Sequence, residues 1–166
     1  MATIDPRRYR DTLGRFPTGV TVITTTDAQG GLYGVTIGSF SSLSLTPPLV
    51  LFSLDRSALC HPAFVGARSF AINILAEDQT ELSRIFASQD ARPWGDLSFR
   101  LGEASGAPLL AGCLAHIECE AEVRHDGGDH DIFIGRVLAL EPTAVDGRPL
   151  LHFGGTYRRL ETQQVD

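Results

Sequence analysis

The 166-residue chain has no long hydrophobic run and only three cysteines, and each shortage removes a class of protein. The most apolar stretch, Pro48 to Leu54, falls far short of the roughly 20 residues a helix needs to cross a bilayer. The start, Met1 to Arg10, has no apolar segment with a small-residue cleavage site, so no export signal is expected. Cys60, Cys113 and Cys119 are odd in number and contain no CxxC pair. Cys113 and Cys119 are expected on one strand, about 20 Å apart, too far to bridge or to share a metal. All three read as reduced thiols packed inside a protein of a reducing compartment, hence a soluble and cytoplasmic one. A formal net charge of -6 and a pI near 5.3 repel phosphate polymers, which argues against nucleic acid and anionic membrane as partners.

Self-contained catalytic kits are missing too. There is no Gly-x-Ser-x-Gly elbow, no His-Glu-x-x-His, no phosphate loop and no Gly-x-Gly-x-x-Gly opening a helix. The five histidines, His61, His116, His125, His130 and His152, show no ligand spacing, so no metal site is expected. Any chemistry then belongs to a bound organic cofactor.

What is present is enough apolar content, 43%, for one domain spanning residues 1–166. Asp5-Pro6 starts a short N-terminal helix within residues 1–16, with Tyr9, Leu13 and Phe16 on one side. The β-branched run Gly19 to Thr26, the turn Asp27 to Gly31 and a strand from Leu32 to Phe40 make a hairpin. Pro47-Pro48 interrupts the chain before strands Leu49 to Leu54 and Phe70 to Leu75. His61 to Ala67 reads as a short helix, and Asp78 to Ala87 as another behind an Asp78 cap. Ser88 to Gly106 has no period and reads as a long loop covering a site. Cys113 to Arg124 alternates with a wet face of Leu114, His116, Glu118, Glu120, Glu122 and Arg124. After Gly127-Gly128-Asp129 comes Asp131 to Glu141, covered on both faces. A turn at Asp146-Gly147 leads to a last strand, Leu150 to Arg158, and residues 161–166 read as a frayed tail. Seven or eight strands with few helices describe a mainly β fold, a closed or partly closed antiparallel barrel.

Four segments are candidates for binding or chemistry. In Val35 to Pro48 hydroxyls recur where a core strand carries aliphatic side chains. Gly34 and Gly38 admit close backbone approach, and Ser39, Ser41 and Ser42 can bond a flat heterocycle or its tail; an edge strand entering a serine-rich turn explains the pattern equally. In Ser53 to Ser57, Arg56 and Ser57 suit a phosphate, or a solvated turn with an Asp-Arg pair. Ala76 to Gln79 precedes a helix whose amides favour an anion, or is simple capping. His130 stands at a barrel rim where a ring can meet a substrate, or is merely solvated, as His125 and His152 are.

Taken in order, these stretches resemble the short-chain flavin reductase family. The matching residues are Phe16-Pro-Thr-Gly-Val-Thr-Val-Ile-Thr24, Gly34-Val-Thr-Ile-Gly-Ser-Phe-Ser-Ser-Leu-Ser44, Pro47-Pro-Leu-Val-Leu51 and Asp55-Arg-Ser57. They continue with Phe70-Ala-Ile-Asn-Ile-Leu-Ala76, Gln79, Leu82-Ser83, Phe86-Ala87, Gly128-Asp-His130, Pro149-Leu-Leu and Gly155-Thr-Tyr-Arg158. The resemblance implies an antiparallel split β-barrel with a few short flanking helices, a homodimer, and NAD(P)H:flavin oxidoreductase activity. It implies FMN or FAD, with NADH or NADPH as co-substrate, and a flavin-dependent monooxygenase as partner. Flavin contacts are implied at Gly38, Ser39, Phe40, Ser41, Ser42, Leu54, Asp55, Arg56, Ser57, Ala76 and Gln79. His130 is implied at the reacting nicotinamide. Gly38 departs from the family, which commonly carries Asn or another polar residue there. Two rival readings are a flavin- or small-ligand-binding barrel without turnover and an interaction domain without cofactor.

Overall fold

The computed structural model describes residues 4–88, 94–142 and 147–161. The β-branched run forms the expected hairpin, β2 (Thr21–Thr26) against β3 (Leu32–Ile37). Asp27 closes its turn by accepting from the N–H groups of Gln29 and Gly31 and from the Tyr33 hydroxyl. Gly30 takes the positive φ of 82° that the reversal requires. The serine-rich stretch is a strand, β4 (Ser41–Leu45), which turns at Pro47 into β5 (Pro48–Asp55). Next come β6 (Ser69–Ile74) and the long hairpin of β9 (Ala115–Gly127) and β10 (His130–Pro142).

These seven strands form one antiparallel sheet in the order β3-β2-β6-β9-β10-β5-β4. Its two edge strands are joined by Gly38, Ser39 and Phe40 alone, a link of at most about 14 Å. The sheet must therefore roll until its edges approach. Ser39 ties this link to β5, the neighbour of β4: its hydroxyl donates to the Ser53 carbonyl at 3.1 Å and accepts from the Ser53 N–H at 3.0 Å. The result is the mainly β split barrel, flanked by α1 (Pro6–Leu13), α2 (His61–Gly66) and α3 (Thr80–Ala87). In its interior Phe52 stacks on Phe133 at 5.1 Å and meets Phe70 edge-on at 5.2 Å. Burial of each such ring contributes about 2–3 kcal/mol. Phe70 fits only because Gly135 has no Cβ to collide with its ring.

Several sequence expectations change. The helix is shorter than residues 1–16 and buries nothing, and Tyr9, Leu13 and Phe16 are exposed. α3 starts at Thr80 behind Gln79, so Asp78 is not its cap. Of the 88–106 segment expected to cover a site, residues 89–93 lie outside the described residues, and residues 94–106 pack against the sheet. Trp94 packs on Phe86 and Phe99, and β7 (Phe99–Leu101) pairs with β8 (Pro108–Leu110) across the outer face of β6 and β9. That strap buries the part of β9 read as wet: His116 and Glu118 are 6% and 7% exposed. Glu118 accepts from Ala104 N–H, Ser105 N–H and the Ser105 hydroxyl, and His116 Nε2 donates to the Leu110 carbonyl. Cys113 precedes β9 and packs in a different cluster from Cys119, so the two do not share a strand. Leu138 and Leu140 are exposed, so β10 is not covered on both faces. The last strand is a small hairpin, β11 (Leu151–Phe153) and β12 (Thr156–Arg158), turned by Gly154-Gly155 and paired with β1 (Thr18–Gly19). Asp146 of the expected turn and residues 162–166 of the expected tail lie outside the described residues.

Candidate functional site

Where the rolled sheet meets the β1–β11 pair it leaves a cleft of about 620 Å³, within the range of small-ligand sites. Gly38, Ser39, Phe40 and Ser41 form one wall, residues 16–21 the other, and Ile74, Pro149 and Leu150 complete the lining. Glycines keep the space open. A Cβ on Gly19 would meet nothing within 4 Å, and one on Gly38 would meet only Thr18, with Oγ1 at 3.2 Å. The lining thus combines bare backbone with apolar side chains, and Phe16 is 75% exposed beside it. Such a slot suits a flat heterocycle that stacks on carbon and bonds to peptide groups.

The structure brings Gly38, Ser39, Phe40 and Ser41 together at this slot, with Ser42 next along β4. The Ser39 hydroxyl is engaged by Ser53, so what Ser39 offers a ligand is backbone. Leu54 is 1% exposed and its side chain belongs to the core. Asp55 and Ser57 form a tight turn: Asp55 Oδ1 accepts from the Ser57 N–H and hydroxyl, both at 2.7 Å. Those bonds hold the Asp55 carboxyl below the usual carboxylate range. Arg56 is bound to two aspartates, Asp126 and Asp131, which hold its guanidinium proton still more firmly than usual. Ala76 and Gln79 make a turn of their own. Gln79 Oε1 accepts from the Ala76 N–H at 2.9 Å, and its Nε2 donates to the Ala111 carbonyl at 2.8 Å. Ala76 also bridges Pro149, which places this turn behind the cleft wall rather than in it.

His130 opens β10 opposite Asp55. That pair lies two steps along the ladder from Ser53, hence about 7 Å from the Ser39 junction. The half-buried His130 ring bonds Asp129 Oδ1 through Nδ1 at 2.7 Å, and its Nε2 has no hydrogen bond among the described residues. The free ring edge can meet a second ligand.

Sequence reasoning missed Ile74, Pro149 and Leu150 of the cleft, which look like ordinary apolar positions until strands far apart in sequence meet. It also missed Asp131, a carboxylate only 4% exposed that binds Arg56, Arg124 and His61. Arg56 above all, with His61 and Arg124, holds its carboxyl below the usual range against the effect of burial. No spacing signals this group, because its members are brought together only by strand pairing. Among the described residues no set of three or more His, Cys, Asp or Glu side chains is placed to hold a metal ion, and no helix is long and apolar enough to cross a membrane.

A seven-stranded antiparallel sheet rolled into a split barrel with few flanking helices is the fold shared with the solved flavin reductases. Residues 13–161 match the flavin reductase like domain, and the chain belongs to that family. It is 43% identical over 157 residues to the FMN reductase (NADH) SmoA of Agrobacterium fabrum, covering 95% of this chain and 87% of that protein. It is 42% identical over 162 residues to HsaB of Rhodococcus jostii, the reductase subunit of a flavin-dependent monooxygenase, covering 98% and 82%. The solved structure of the NADH:FAD oxidoreductase SgcE6 of Streptomyces globisporus, in complex with NAD and FAD fragments, superposes with a TM-score of 0.89. That match covers 98% of each chain at 36% identity.

Proposed function

We propose that this chain is an NAD(P)H:flavin oxidoreductase, a single domain that takes a hydride from a reduced nicotinamide dinucleotide and passes it to FMN or FAD. The open-backbone slot at Gly38 to Ser41 carries the reading. Its shape and lining fit an isoalloxazine, and the relatives named above are FMN and FAD reductases. When bound, the flavin supplies a ring nitrogen, N5, that accepts the hydride. The chain's own work is to bind and orient. Gly38 to Ser42 hold the ring edge through peptide groups and hydroxyls, the Leu54 to Ser57 loop lies beside them, and the Ala76–Gln79 turn supports the wall from behind. His130 presents Nε2 to the nicotinamide and positions it. No protein nucleophile takes part, which accords with the absence of any catalytic triad in the sequence.

The relatives' names favour NADH as donor and a flavin-dependent monooxygenase as the consumer of reduced flavin. Leu43 and Leu45 on the edge strand β4, 46% and 89% exposed, support a homodimer that covers them. Three thiols in reduced form, Cys60, Cys113 and Cys119, support a cytoplasmic protein. Purified protein should oxidise NADH only when FMN or FAD is added, read at the nicotinamide absorbance. His130→Ala should cut that rate by about tenfold to a hundredfold while changing flavin affinity little. Protein that binds flavin without NADH turnover would instead be a flavin-binding barrel.

A further inference from the structure

Arg56 stands on the loop after β5, yet its guanidinium reaches both legs of the β9–β10 hairpin. Nε and Nη2 donate to Asp131 Oδ1 on β10 at 2.9 and 2.6 Å, and Nη2 donates to Asp126 Oδ2 on β9 at 2.5 Å. The Arg56 backbone N–H meets the Asp129 carbonyl, at the tip of the same hairpin, at 3.0 Å. One residue thus grips the turn at three points, and His130 lies inside the grip, between Asp129 and Asp131. The anchor is Asp131, whose side chain is 6% exposed. Its second oxygen accepts from His61 Nε2 at 2.9 Å and Arg124 Nη1 at 3.1 Å. A carboxylate so far from water, bonded from three separate elements, has one position available to it, and so has the guanidinium bound to it.

We propose that Arg56 and Asp131 are positioning residues for hydride transfer: the clamp fixes the hairpin tip so that His130 stands at the nicotinamide. This rests on the flavin reductase reading and changes one part of it. Arg56 acts through His130 and is not a phosphate ligand of the flavin. The bonds to the two aspartates use Nε and both N–H groups of Nη2, so neither two-nitrogen edge of the guanidinium is open to a bidentate phosphate contact. Asp126, with 77% of its side chain exposed, is the weaker leg of the grip, and Asp131 the stronger.

The test uses the whole chain. In flavin-free protein, Arg56→Gln should speed amide hydrogen exchange at Gly128 to His130 by about tenfold or more, with β2 and β6 unchanged. In anaerobic single turnovers it should slow flavin reduction by about tenfold or more, equally with FMN and with riboflavin, which has no phosphate. Added to His130→Ala it should slow reduction no further. Asp126→Asn removes the exposed leg and leaves the buried carboxylate partnered. It should show a smaller effect of the same kind, and it carries the test if Arg56→Gln does not fold. Unchanged exchange at the tip would overturn the proposal, as would slowing that adds in full to that of His130→Ala. A loss of about tenfold in FMN affinity, read by fluorescence quenching, with riboflavin binding intact would make Arg56 a phosphate ligand and equally overturn it. A parent protein that never reduces flavin would instead contradict the flavin reductase reading. The role in hydride transfer would fall with it, while the exchange experiment would still report whether the clamp holds the tip.

Discussion

Cys113 and Cys119 are wholly buried, and burial pushes both thiols up to about 12. At pH 8 only about one such group in ten thousand is a thiolate, so neither can serve as a nucleophile. A thiol reagent added to native protein at pH 8 should modify Cys60 at most, whereas all three should react in denaturant. Rapid native labelling at Cys113 or Cys119 would contradict the packing described here. Gly38 makes the complementary point about a residue whose value lies in what it leaves out. The family commonly has a polar side chain there, but in this chain the neighbouring Thr18 hydroxyl would stand only 3.2 Å from an added Cβ. On the proposed reading, contact with a ligand at this position would pass to the peptide backbone.

Among the elements, the strap of β7 and β8 departs furthest from the sequence expectation. A period of two in β9 tells which residues share a face and says nothing about what covers that face. His116 and Glu118 read as solvated because the strap that buries them lies in a segment without any period. Physically the strap is held by polar groups: Glu118 on the Ala104–Ser105 turn, and Asn73 Oδ1 accepting from the Leu110 N–H at 2.7 Å. Glu118→Ala should therefore cost about 3 kcal/mol in denaturant unfolding, because it orphans several donors at once. A cost below about 0.5 kcal/mol, typical of a surface site, would show that the strap does not depend on it. The β2–β3 hairpin, β5, β6 and the Gly128 turn were legible because turn residues and β-branched runs act locally. The hydroxyl-rich pattern of Gly38 to Ser42 leaves a ligand site and a serine-rich edge strand equally open, and the structure places Gly38 to Ser41 along the cleft wall and Ser41 and Ser42 on the edge strand β4. The Arg56 clamp and the far wall of the cleft were not legible, since partners up to 75 residues apart meet only after the sheet rolls.

For the molecule as a whole, all 14 of its lysine-plus-arginine positions are arginine. The groups whose charge bears on acid stability here are three carboxylates. Asp55, Asp126 and Asp131 are all held below the usual carboxylate value in the folded chain. A depressed carboxyl stabilises the fold fully above its unfolded value, about 4, and loses that contribution as pH falls through the lower folded one. Asp131→Asn should accordingly unfold at lower denaturant than the parent at pH 7, with the gap narrowing below about pH 4. A constant gap down to pH 2 would mean that the Asp131 charge contributes nothing. On the proposed reading, the slot between Gly38–Ser41 and residues 16–21 holds a flavin which receives a hydride from a reduced nicotinamide. The most direct measurement is anaerobic stopped-flow mixing of the flavin-loaded protein with NADH or NADPH. The visible absorbance of the oxidised flavin should bleach in one turnover, and should return when oxygen is admitted. Absorbance that stays constant with both nucleotides at saturating flavin would contradict the account.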